Sequence, residues 1–238
     1  MTSVTALHAL ATGSFLELLQ DPAMRVSFSQ LGEDVAVLHL LTHRFRMQRP
    51  GFYVDVGAFH PRLYSNTQLL HLAGWRGINI EPNAAAIAAF RQERPNDINL
   101  QLGVAPEAGE LTFFEFMNRE ASTFSAETAD RWQRNGWTLR QTTRVPVRPL
   151  DAILAEHLPP GQAIDFLDID VEGLDRAVVA SLDLARFRPK ILAVELHDAD
   201  PLALGADPTV GHLVGHGYEL VASLFVSLLF VDRTAAVG

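Results

Sequence analysis

The sequence predicts an α/β protein built on a doubly wound, mostly parallel sheet, with helices on both faces and an antiparallel hairpin at its end. Three observations predict it. From residue 50 onward, short apolar runs of strand length alternate with stretches of helical spacing. Several of those runs end in an acid or a glycine ("YVDVG", "INIEP", "FLDID"), at the strand ends where open α/β sheets meet their ligands. The last run, "GYELVASLFVSLLFVDR", holds two strands' worth of β-forming residues with a tight connection.

Each element has its own signal. Leu7, Leu10, Phe15, Leu18 and Leu19 give residues 4–20 amphipathic helical spacing, which Asp21-Pro22 breaks. A second helix is expected from near Gly32 to before Pro50. "FYVDVGA" reads as the first strand, and "NTQLLHLAG" as a helix stopped by Gly74. "RGINIEP" is the second strand, Asn83 the N-cap of "AAAIAAFRQE", and "INLQLGV" the third strand. The repeat then changes. "GELTFFEF" alternates as a half-exposed strand, and "TTRVPVRPL" is expected to pair with it across the polar loop 117–141. "AIDFLDIDVEG" and "PKILAVELHD" are strands flanking the helix "LDRAVVASL". No internal repeat or interdomain linker interrupts the chain. Residues 1–49 are therefore expected to form a helical lead-in that covers a ligand cleft or makes a dimer contact, with residues 50–238 as one domain.

Composition narrows the function classes. Hydrophobic residues make up 48% and charged residues 20%, which suits a globular core. Nineteen basic against twenty-eight acidic residues give a net charge of -9, which opposes general nucleic-acid binding. Without cysteine there are no disulfides, thiolate metal sites or Cys nucleophile. The first residues lack the pattern of a signal peptide, and no apolar stretch approaches the roughly 18–20 residues of a membrane helix, so a cytoplasmic location without membrane insertion is expected.

The corner Gly57-Ala58-Phe59-His60-Pro61 has one glycine, where a dinucleotide fingerprint needs three to admit a pyrophosphate. This disfavours a dehydrogenase. Glu81, at the end of the second strand, can accept hydrogen bonds from both hydroxyls of a ribose. One glycine corner plus that acid fits an adenosine ligand without a pyrophosphate, such as S-adenosylmethionine.

"SQLGEDVAVL", "FYVDVGAFHP…SNT", "GWRGINIEPN", "NLQLGV" and "IDFLDIDVEGLD" together resemble the FkbM-type S-adenosylmethionine-dependent methyltransferases, from about Ser29 to Glu195. The resemblance implies a Rossmann-like methyltransferase fold with a reversed last hairpin. It implies O-methylation of a saccharide or a glycosylated metabolite, with an N-methyltransferase or a non-catalytic nucleoside-binding module as alternatives. By motif match Asp55, Gly57 and Ala58 would lie by the methionine moiety and Glu81 on the ribose. Ser65, Asn66 and Thr67 would open a helix facing the cofactor carboxylate, or simply N-cap it. Gln30, Glu33 and Asp34 would lie over the cofactor side. Many relatives carry Lys where this chain has Asp168, which leaves that residue without a role.

Removing a proton from a sugar hydroxyl needs a base or a cation that lowers its pKa. Asp170 and Glu172 follow one strand, and Glu195, His197 and Asp198 follow another. Asp170, His197 and Glu172 are the candidate catalytic residues. Because so many carboxylates should repel one another, Mg²⁺ or Mn²⁺ held by Asp170, Glu195 and His197 is a further expectation. Trp132 and Trp137, with Arg119, Arg131, Arg134 and Arg140 around them, are placed either to stack on a sugar or to pack a helix on the core. A homo-oligomer is the remaining expected partner.

Overall fold

The structure is a computed structural model and describes residues 25–118 and 121–235. The helix expected over residues 4–20, and Arg119, lie outside them. Among the described residues, no helix is long and apolar enough to cross a membrane.

Among the described residues the main sheet has seven strands. In chain order they are β1 (Phe52–Val56), β2 (Arg76–Ile80), β3 (Ile98–Leu100), β7 (Phe166–Ile169), β8 (Ile191–Glu195), β9 (Tyr218–Leu224) and β10 (Ser227–Asp232). Their spatial order is β3-β2-β1-β7-β8-β10-β9. All pairs are parallel except the last two, where β10 runs antiparallel to both β8 and β9, so the expected terminal hairpin is present. The sheet reverses direction of growth between β1 and β7, and ligands of such sheets bind at that switch point.

Side chains alternate between two covered faces. On one, Val54, Val56, Ile78, Ile80, Leu167 and Val194 pack against α5 (Leu150–His157), α6 (Asp175–Ser181) and α7 (Pro208–Gly215). On the other, Tyr53, Phe166, Ile191 and Leu229 pack against α1 (Glu33–His39), which runs on into a wider π-type turn, Leu40–Arg44, and against α2 (Gln68–Leu72). β1 is buried along its whole length, which explains its unbroken apolar run. Helix α3 (Ala84–Glu93) starts where expected, with the Asn83 side chain accepting from the N–H groups of Ala85 and Ala86.

The third predicted strand divides. Ile98–Leu100 pairs with β2, but the chain then leaves the main sheet, and β4 (Gly103–Val104) joins a separate three-stranded sheet of order β4-β6-β5. Here β5 (Gly109–Phe116) and β6 (Leu139–Arg148) form the expected antiparallel pair, with α4 (Ala126–Arg134) between them in sequence. Helices α5 and α7 are present in stretches where the sequence reading placed none.

Candidate active site

A cavity of about 290 Å³ opens at the carboxyl ends of β1, β2, β7 and β8. Asp55, Gly57, Ala58, Glu81, Ser65, Asn66, Gln30 and Glu33 line it, and so do Asp170, Glu172, Glu195 and His197. Sheet register explains part of this convergence. Asp55 lies beside Asp168 across the β1–β7 pair, and Asp168 beside Ala193 across β7–β8. Parallel neighbours in register share a face, so Asp55, Asp168 and Glu195 point to the side covered by α1. Glu33 of α1 reaches the same edge and accepts from the Ser227 hydroxyl at 2.8 Å.

At the first corner the backbone is already committed. The N–H groups of Gly57 and Ala58 both donate to the carbonyl oxygen of Ile80, at 2.9 and 3.1 Å. They cannot cradle a phosphate. Glu81 is fixed from two sides, accepting from Phe59 N–H on one oxygen and from Asn83 N–H on the other. Apolar wall is supplied by Ile80, Pro82, Leu102 and Val104.

The "SNT" stretch does not serve as a cap. Thr67 occupies the N-cap position of α2 without any side-chain capping bond. Its hydroxyl instead donates to Asp55 at 2.5 Å, while Asn66 Nδ2 donates to Asp168 at 2.9 Å. Ser65 accepts from Arg94 at 3.1 Å. Asp34 also turns away from the cavity and accepts from Ser27, Phe28 and Ser29, holding the loop before α1.

Arg94, just past α3, is the feature the sequence reading missed. It is 1% exposed. Its two terminal nitrogens donate to Tyr53 Oη, Thr67 Oγ1, Asn79 Oδ1, the Pro61 carbonyl, Ser65 Oγ and Gln68 Oε1. Thr67 relays this to Asp55. Burial pushes the Asp55 carboxyl up, while the Thr67 hydrogen bond and the Arg94 charge pull it back. Tyr53 in turn donates to Asp97, which supplies the negative partner. Only the sequence "RQERPN" signalled this hub, and it reads as an ordinary exposed helix end.

The second corner holds the titratable cluster. Asp170 N–H continues the ladder from β7 to the Val56 carbonyl at 2.9 Å. The following turn is held by Asp175, which accepts from Val171 and Gly173 and is itself pushed up to about 6 by burial. This turn places Glu172 in a left-handed conformation, φ 50°, uncommon for a residue with a side chain. Asp170 lies beside Glu195, and its Oδ1 is buried without a hydrogen-bond partner. Burial first, then the Glu195 and Glu172 charges, drive the Asp170 carboxyl well above the ordinary range. Glu195 moves the other way: burial opposes its ionisation, but hydrogen bonds from His197 and Asp170 outweigh that. His197 Nε2 lies 3.1 Å from Glu195 and 3.8 Å from Glu172, and the Glu195 hydrogen bond raises its pKa to about 9.

Two expectations change here. The crowding that suggested a metal ion is partly offset within the protein by His197, whose pKa is raised to about 9 beside Glu195. The donor atoms that could hold a cation are also a different set. Glu172, Glu195 and His197 lie within 4.8 Å of one another, and Asp170 is not among them. Asp168, which lacked an expected role, lines the cavity, and burial followed by the Asp55 charge raises its pKa strongly.

The three-stranded sheet and α4 close the cavity's far side. Phe113 and Phe124 lie with centroids 4.8 Å apart and planes inclined by 45°, and Trp132 and Trp137 line the wall beside them. The Thr123 hydroxyl donates to the Glu172 carbonyl, tying this cover to the β7 turn.

A family model described as the methyltransferase FkbM domain matches residues 55–214. Among solved structures, the chain is similar to methyltransferase FkbM from Methylobacillus flagellatus KT, with 15% identity and a TM-score of 0.45. That likeness covers 92% of this chain, which spans 58% of the other's length. No curated protein matches the chain.

Proposed function

The chain belongs to the FkbM methyltransferase family, and from that premise we propose that it O-methylates a saccharide or glycosylated metabolite using S-adenosylmethionine. The observation that carries this reading is the sharing of one cavity by Asp55 and Glu81 with the Asp170–Glu195–His197 cluster. The donor set fits this cofactor. Glu81 lines the cavity as an acceptor for ribose hydroxyls, Asp55 and Asp168 offer acceptors to an ammonium group, and the closed Gly57–Ala58 corner suits a ligand without a diphosphate. Ser65, Asn66, Gln30 and Glu33 complete that side.

Bound S-adenosylmethionine supplies an electrophilic methyl group, so the protein's tasks are alignment and removal of one proton. The adjacent Asp170 and Glu195 carboxyl groups both line the cavity, so they can take the hydroxyl proton as a unit. His197, already charged near neutrality, is a counter-ion to that pair and not the first base. Being half exposed at the mouth, it offers the proton a way out. Glu172 lies within reach of the same imidazolium.

A divalent cation at Glu172, Glu195 and His197 is a second reading, favoured by the convergence of those three donors. It would lower the hydroxyl pKa directly. Activity lost in chelator and restored by Mg²⁺ or Mn²⁺ supports it, while full activity in chelator leaves the carboxyl pair as the base. The decisive test of function is mass spectrometry of host glycans after incubation with methyl-labelled cofactor. Calorimetry should show binding of S-adenosylhomocysteine, and Glu81→Ala should weaken it by about 1–3 kcal/mol. Tight NAD binding without a response to S-adenosylhomocysteine would sink the proposal.

A further inference from the structure

Away from the reacting cluster, one buried network is left with unmet polar atoms. Among the described residues six buried side-chain nitrogen or oxygen atoms lack a hydrogen-bond partner, and three belong to this network: His71 Nδ1, Arg94 Nε and Asp97 Oδ1. Buried polar groups ordinarily find partners, so three in one place call for an explanation.

His71 lies in the last turn of α2. Its Nδ1 is 3.7 Å from Asp97 Oδ2, too far for a hydrogen bond and close enough for an ion pair once the ring is charged. Asp97 Oδ2 accepts from the Tyr53 hydroxyl and from Asn79 Nδ2, while Oδ1 accepts from nothing. Arg94 donates to the same Tyr53 oxygen at 3.2 Å, so the phenol stands between guanidinium and carboxylate. At the other end of α2, Thr67 and Gln68 accept from Arg94, and Thr67 donates to Asp55 on the cavity wall. Both ends of one short helix therefore meet the same arginine and carboxylate.

We propose that His71 is a proton-operated switch on cofactor binding: neutral, it leaves Asp97 to balance Arg94, and protonated, it takes Asp97 for itself. An imidazolium Nδ1–H would donate to Asp97 and draw it from Tyr53 and Asn79. Arg94 would then keep a buried charge beside a second cation with a weaker counter-charge, and its hold on Thr67 and Gln68 would slacken. Asp55 loses its fixed position as a result.

The charges that reach His71 come from few elements. Arg94 and Asp97 act from the segment after α3, and Arg76 from β2. β1 contributes Tyr53 and Asp55, both already tied into the network. On α1, Glu33 is committed to Ser227 and Leu31, Asp34 to Ser27, Phe28 and Ser29, and His39 stacks on His43. Burial, then the Arg94 charge, lowers the His71 pKa below 6.5, against the pull of Asp97. Folding thus favours the neutral ring. Its contribution to stability is fully present above pH 6.5 and is lost as pH falls through the lower folded pKa.

The effect on affinity rests on the S-adenosylmethionine reading, but the switch also has a readout without cofactor. Calorimetry with S-adenosylhomocysteine is run from about pH 7.5 down to about pH 5 on the wild type and on His71→Gln and His71→Asn, which stay neutral. Acidification should weaken wild-type binding about tenfold more than it weakens the neutral variants. His71→Lys, charged throughout, should bind weakly across the range. Other groups titrate in every protein, so the difference between profiles is the measure. Superimposed profiles overturn the inference and leave the methyl-transfer reading intact, and either neutral variant suffices if the other does not fold. If no S-adenosylhomocysteine binds at any pH, the methyl-transfer reading fails and thermal unfolding decides the switch. Wild-type Tm should then fall relative to the neutral variants as pH drops below 6.5, and coincident Tm curves overturn it.

Discussion

A Cβ placed on Gly57 would lie 1.6 Å from the carbonyl oxygen of Asp170. The turn after β1 and the turn after β7 therefore touch backbone to backbone, and the glycine at that corner sets how far the cofactor side lies from the acidic cluster. Gly57 also has φ 83°, the left-handed region that side chains rarely adopt.

Gly57→Ala combines both penalties, and neither can be relieved by a side-chain rotation. It should destabilise the protein by more than about 3 kcal/mol, seen as a lowered denaturant midpoint. If it folds, S-adenosylhomocysteine binding should also weaken, because the β1 corner must move away from Asp170. An unchanged midpoint would show that the two turns are not in contact.

This contact also explains which parts of the site were legible in the sequence. β1, β2, β7 and β8 announced themselves because they are buried on both faces, and their terminal acids marked the cavity's edge. The division after Leu100 was not legible, since a strand pattern carries no information about which sheet the strand joins. Helix α5 has Leu150, Ile153 and Leu154 at plain helical spacing, so that signal was present and unused. Arg94 is different in kind. Its burial is decided by Tyr53, Thr67, Gln68 and Asn79, which reach it from separate elements, and no local pattern distinguishes it from a surface arginine.

Arg94→Lys tests that hub. Lysine keeps the charge but not the planar fork that serves six acceptors, so several buried polar groups lose their donor. The expected loss is about 3–5 kcal/mol of stability by denaturant titration. Cofactor affinity should fall alongside, because Thr67 would no longer be held against Asp55. A substitution that costs stability and leaves affinity unchanged would limit Arg94 to a structural role.

His197 gives a pH signature. Its folded pKa, about 9, lies above the ordinary value of 6.5 because of the Glu195 hydrogen bond. Folding therefore favours the protonated form. The ion pair's contribution is fully present below about pH 6.5 and is lost as pH rises through about 9. Thermal unfolding in chelator should show Tm falling across that window, and His197→Gln should flatten the fall. An identical pH profile in the variant would mean the pair contributes nothing to stability, as half-exposed pairs often do.

Asp170→Asn should separate stability from activity in opposite directions. In the wild type, burial and the neighbouring Glu195 raise the Asp170 pKa well above 3.8, so the folded protein retains a proton that the unfolded chain has released. Stability consequently declines as pH rises from about 3.8 towards the folded pKa, and remains lowered above it. Asparagine has nearly the same shape, no charge to bury, and an amide that can still donate to Glu195. At neutral pH the variant should be more stable by about 0.5–2 kcal/mol. The pair then has lost one of its two carboxyl groups, so turnover should drop by on the order of 10²-fold or more. Cofactor affinity should be nearly unchanged, since Asp55 and Glu81 are untouched. Parallel measurement of Tm, S-adenosylhomocysteine affinity and turnover distinguishes the outcomes. A gain in Tm with lost turnover marks Asp170 as a group kept at a cost to stability for its chemistry. Normal turnover on the true acceptor would remove the carboxyl pair from the mechanism.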